Sequence, residues 1–173
     1  MKNFFFVITI VLILRFFYVY IDKNQQMSYF RSDQQMKLNF KQEKLSFIRV
    51  VNFCKSQVEL EKKISGTDNH FYYCESNNIP NLDKINMIGA EVSGDSNQVL
   101  ILSNSHEEGT FFHGNITQEK GYIFSENLIN SNLVVEALDN FIAEEFPNDE
   151  VWRYRQIEKN WYLYYKKTTY YPS

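Results

Sequence analysis

The chain has 173 residues and a formal charge of −3, and 17% of its residues are aromatic. That aromatic load argues against disorder. The charge is uneven: residues 22–63 carry a balance of +4, residues 64–151 a balance of −13 and residues 152–173 a balance of +4. The acidic middle argues against nucleic acid, which needs a basic footprint.

In chain order, the first feature is residues 4–21, FFFVITIVLILRFFYVYI, behind the basic Lys2. At about 1.5 Å rise per residue this stretch just crosses a hydrocarbon core of about 30 Å. Phe16, Phe17, Tyr18, Val19, Tyr20 and Ile21 supply none of the small residues that signal cleavage needs. Residues 1–21 therefore read as an uncleaved transmembrane signal anchor. Arg15 within it carries an insertion cost of about 2.5–3.5 kcal/mol at a helix centre, eased where its long stem snorkels to the interface. The short N-terminal tail places the N-terminus inside and the rest of the chain outside.

Residues 22–38 read as a polar, Gln-rich stalk, and residues 39–173 as a single α+β domain. The clearest soluble helix is predicted from Phe40 to Lys63, with Asn39 as N-cap and Gln42 completing a capping box. Phe47, Val51, Cys54 and Val58 repeat at helical spacing, and Leu45 and Ile48 widen the stripe. An even number of cysteines in an exported domain suggests that Cys54 and Cys74 form a disulfide, closing a loop of about 20 residues. Strands are predicted at Val99 to Leu102, Thr110 to Ile116 and Tyr122 to Phe124, with a turn at Ser103-Asn104-Ser105. A second helix is predicted over Leu133 to Phe146, where Val134, Ala137, Leu138, Phe141 and Ile142 make one face and Pro147 ends it.

The last stretch, Val151 to Ile157 and Trp161 to Lys167, reads as an aromatic hairpin around Glu158-Lys159-Asn160. Alternation puts Trp152, Tyr154 and Gln156 on one face and Arg153, Arg155 and Ile157 on the other. In the second strand Tyr162, Tyr164 and Lys166 share a face opposite Trp161, Leu163 and Tyr165. Tyr, Trp and Arg dominate interface hot spots, so Trp152, Tyr154, Arg155, Tyr162 and Tyr164 are the candidate binding surface. Cross-strand aromatic and cation–π pairing that merely stabilises the sheet is the competing explanation. The order helix, strands, helix, hairpin predicts a mainly antiparallel sheet with two helices. One polar set, His106, Glu107, Glu108 and His113, could serve a metal-dependent hydrolase. Its spacing and Gly109 exclude the helical zinc pattern, and a solvated acidic loop is the simpler explanation.

The runs Lys120-Gly121-Tyr122-Ile123-Phe124-Ser125 and Tyr154-Arg155-Gln156-Ile157-Glu158, with Asn160-Trp161-Tyr162-Leu163-Tyr164-Tyr165, carry a resemblance. The chain resembles a loose group of small membrane- or lipid-anchored bacterial proteins of unassigned function, ending in a KGY(A/V)YS … YRxIExNWYLYY pattern. The group commonly has Gly where this chain has Lys159. The resemblance implies a bacterial envelope location and supplies no catalytic residues. The expectation is a single-pass protein of the bacterial inner membrane with its C-terminal domain in the periplasm, needing no cofactor. Its expected role is non-enzymatic binding of a protein partner, an immunity-like neutralisation of an exported toxin being one version. An accessory subunit of an envelope assembly is the alternative.

Overall fold

The computed structural model describes residues 30–65, 71–74, 85, 87–93, 97–110, 114–141 and 150–170. The proposed anchor, residues 4–21, lies outside them. Among the described residues no helix is long and apolar enough to cross a membrane. Among the described residues the secondary structure is α+β: one helix, α1 (Asp33–Ser65), and six strands. These are β1 (Phe71–Cys74), β2 (Gly89–Ser93), β3 (Gln98–Thr110), β4 (Gly114–Ser125), β5 (Glu150–Glu158) and β6 (Trp161–Tyr170). They form one sheet in the order β1-β2-β3-β4-β6-β5, and every neighbouring pair is antiparallel.

The helix starts earlier than its apolar period suggests. Ser32 is the cap: its Oγ accepts from the Gln35 N–H at 3.3 Å, and Gln35 Oε1 accepts from the Ser32 N–H at 3.0 Å. This is a capping box in the Ser-x-x-Gln spacing, and it places residues 33–38 of the expected stalk within α1. Asn39 is therefore helical, and its amide donates to the Ile85 carbonyl (3.3 Å) and to Tyr122 Oη (3.4 Å). The backbone leaves helical geometry at Glu43 (φ −111°, ψ 22°), kinking α1. Met36, Phe40, Phe47, Val50, Val51, Cys54 and Val58 are buried along one side. Leu45, expected to widen that stripe, is 71% exposed instead.

That side of α1 packs on the sheet face formed by Ala90, Val92, Val99, Ile101, Tyr122, Trp161, Leu163 and Tyr165. Its centre is aromatic, with Phe47 4.5 Å from Tyr122 and Phe40 4.9 Å from Trp161 between ring centroids. Each such buried side chain contributes about 1.5–3 kcal/mol of transfer free energy. Cys54 and Cys74 are joined in a disulfide across a Cα separation of 5.5 Å. The bridge ties α1 to the edge strand β1, as the sequence suggests.

The strands are fewer and longer in this central region than expected. Val99–Leu102 and Tyr122–Phe124 lie within β3 and β4, which pair along their whole length. Ser103-Asn104-Ser105 is not a turn. The register shifts between Leu102 and Asn104, so Ser103 is absorbed as a bulge. Thr110 to Ile116 is not a strand of its own. It spans the reversal between β3 and β4, and residues 111–113 lie outside the described ones. The C-terminal hairpin forms as expected, with Lys159 and Asn160 at its tip. Asn160 has φ 64°, a left-handed conformation that Asn tolerates better than most residues.

The second helix does not form over its described part, residues 133–141. Ser131–Leu133 is a short 3-10 turn capped by Asn130. Val134 then bridges Tyr154 in parallel, and the Val135 N–H donates to the Tyr154 carbonyl at 2.7 Å. The Leu138 N–H donates to Asp33 Oδ2 at 2.7 Å. Backbone amides that a helix would use internally are satisfied by tertiary partners here. The apolar set is also divided: Leu138 and Phe141 join the core under α1, and Val134 packs against the opposite face.

Candidate functional site

Two polar assemblies stand out, one closed and one open. The closed one gathers Asp33 from the start of α1, Lys120 from β4, Asp139 and Arg155 from β5. Asp33 and Lys120 are 1% and 0% exposed. Lys120 Nζ lies 2.7 Å from Asp33 Oδ1 and donates to Asp139 Oδ1 (2.5 Å) and the Arg31 carbonyl (3.0 Å). Asp33 Oδ2 accepts from Arg155 Nη1 at 2.8 Å as well as from Leu138. Burial pushes the Asp33 carboxyl up, but Lys120, Arg155 and the Leu138 amide together outweigh it and hold the group below the ordinary range. The Asp33 N–H in turn donates to the Asp139 carboxylate (3.0 and 3.1 Å), where a negative charge also favours the helix N-terminus. Two cations and two anions pair with one another here, so the assembly is a structural lock.

That lock explains Lys120-Gly121-Tyr122. Lys120 carries the ion pairs. Tyr122 donates its hydroxyl to the Met36 carbonyl at 2.9 Å, and burial pushes its pKa up to about 12. Gly121 is required for space. A Cβ there would meet the Ile101 backbone oxygen and lie 2.7 Å from Tyr164 Cε1, because the Tyr164 ring covers the glycine. Gly121→Ala should cost about 1–3 kcal/mol, as overpacking does, measured by chemical denaturation. Gly89→Ala serves as control and should be near neutral, since a Cβ there meets nothing within 4 Å.

The open assembly lies on the sheet face turned away from α1. Leu100, Ile123, Tyr162 and Tyr164 form a second small cluster there, flanked by Ile129, Val134, Trp152 and Tyr154. Beside it lies a cavity of about 300 Å³. Register explains the hollow. Across the sheet, Tyr154, Tyr164, Gly121, Leu102 and Gly89 are successive partners; the Tyr164 ring covers Gly121, and Gly89, which lines the cavity, leaves its position open. Tyr73, Ile88 and Trp152 give the cavity apolar walls, and Glu91, Glu119 and Lys166 supply its charge. Tyr73 and Ile88 are 75% and 55% exposed.

Electrostatically the hollow is acidic. Burial raises the Glu119 carboxyl. Lys166 opposes that, and Glu91 and Glu150 reinforce it. Lys166 is itself shared, 3.4 Å from Glu150 and 4.9 Å from the centre of the Trp152 ring. Tyr164 is almost fully buried and lines the cavity. Burial and the nearby Glu119 and Glu91 push its pKa well up.

The structure thus brings together Trp152, Tyr154, Tyr162 and Tyr164 of the expected surface, with Trp152 and Tyr154 stacked at 6.0 Å. It does not bring Arg155 with them. Arg155 points to the other face and belongs to the lock. Tyr162 and Tyr164 are buried, so Trp152 and Tyr154 are the accessible members. His106 sits in β3 opposite Gln118, next to the exposed Glu107. His113 lies outside the described residues. Among the described residues no group of three His, Cys, Asp or Glu is placed to hold a metal ion. Sequence reasoning missed Glu91, Glu119 and Gly89, because their convergence depends on cross-strand register. No family model, curated protein or solved structure matches the chain.

Proposed function

We propose that the chain is a membrane-anchored, non-enzymatic protein-binding module of the bacterial envelope. It is held in the inner membrane by residues 4–21 and presents its domain to the periplasm. One observation carries the binding role: the face of the sheet away from α1 holds a hollow walled by exposed Tyr73 and Ile88 and half-buried Trp152 around carboxylates. Exposed apolar side chains grouped around polar ones mark interaction sites. The Cys54–Cys74 bridge supports an oxidising compartment.

Site-specific photo-cross-linking in living cells tests this. A benzophenone at Tyr73 should give one discrete protein adduct, and the same group at Leu45, exposed on the helix side, should give none. No adduct at Tyr73, or identical adducts at both positions, would overturn the reading.

A further inference from the structure

We propose that the hollow on the open sheet face is a socket for a single cationic side chain, lysine or arginine, of the partner protein. This rests on the binding role argued above and names its chemistry. The size fits one side chain: about 300 Å³ is the low end of ligand pockets. The charge fits a cation, since Glu91 and Glu119 line the socket, Glu150 stands close by, and Lys166 is the one positive group among them. The walls fit as well. Trp152 already holds one ammonium, that of Lys166, over its ring, and a second cation between Trp152 and Tyr73 would gain the same attraction. Tyr164 and Glu119, which line the cavity, bring a hydroxyl and a carboxylate as acceptors. A guanidinium or ammonium has donors to fill both.

Gly89 decides whether the socket exists. A Cβ there would stand in open space, so a large side chain starting at this position projects into the hollow. The full-length protein in detergent micelles is titrated with the capped pentapeptide Gly-Gly-Arg-Gly-Gly and its lysine, citrulline and norleucine counterparts, following tryptophan fluorescence. Trp152 at the socket responds, and Trp161, 4% exposed in the core, does not. The arginine and lysine peptides should bind and the two neutral ones should not. Affinity should fall about tenfold in Glu91→Gln/Glu119→Gln and in Gly89→Leu, the scale of a lost cation contact. The isosteric double variant keeps the test standing if Gly89→Leu fails to fold. Equal affinity for arginine and citrulline peptides, or unchanged affinity in the glutamine variant, overturns the proposal. A Tyr73 cross-link that persists while no cationic peptide binds would sink the socket and leave the binding face standing. Peptide binding without any Tyr73 cross-link would do the reverse.

Discussion

Lys120→Met should lower the unfolding free energy by about 3–5 kcal/mol at neutral pH. The change removes one partner of a buried ion pair and leaves Asp33 charged, desolvated and short of a donor. Asp139 and the Arg31 carbonyl lose their contacts with it. The size of the effect should depend on pH, and the sign follows from Asp33. Its folded-state pKa lies below the ordinary value. The stabilisation it supplies is therefore present above about pH 4 and is lost as pH falls through the folded pKa. With Lys120 gone, burial opposes ionisation with less compensation, so the carboxyl rises. The variant's deficit should then shrink as pH falls from 7 towards 4. Urea denaturation of both proteins at pH 7, 5 and 4 measures this, and a deficit constant across the series would contradict the assignment. Adding Asp33→Asn to Lys120→Met should recover part of the loss, because neighbours in one network are not additive.

The second large effect is expected at the disulfide. Cys54→Ala/Cys74→Ala should cost about 3 kcal/mol, the scale for a loop closed over a separation of 20 residues. Alanine avoids burying a new hydroxyl where Cys54 is 0% exposed. The loss should also be local. β1 is four residues long and, among the described residues, pairs only with β2. Short edge strands need support from elsewhere, and the bridge to α1 supplies it. Hydrogen exchange should speed up first at Phe71–Cys74, and arginine-peptide binding should weaken with it, because Tyr73 walls the hollow. Unchanged exchange in β1 would show that the strand holds without its bridge.

How legible this was in the sequence varied by residue. The α1 stripe from Phe47 to Val58 was readable because one face of a long helix repeats every three to four residues. The terminal hairpin was readable because alternation and a short polar turn coincide there. The start of α1 was misplaced, since Asn39-x-x-Gln42 and Ser32-x-x-Gln35 spell the same kind of cap. The tertiary contacts of Asp33, immediately after Ser32, distinguish them. The helix expected over 133–146 is absent from its described part, residues 133–141, because Val134 and Leu138 have helical spacing yet serve opposite sides of the sheet. Arg155 was assigned its own face correctly. It was still grouped with the aromatic surface by residue type, and only Asp33, 122 positions away, explains what it does. The hollow was the least legible feature. It opens over Gly89, which carries no side chain, and the residues around it meet only once the strands are paired.

With residues 4–21 as the proposed anchor, the lock at Asp33 would also fix where the domain takes mechanical load. Any pull arriving along the polypeptide before Phe30 meets Arg31 and Asp33, whose contacts run to Lys120 in β4, the fourth of six strands. Force thus enters at the middle of the sheet. An edge strand can unzip one rung at a time, but a central one must shear many at once. Under the proposed anchoring, a pull along the chain would load the domain where many rungs of the sheet resist together.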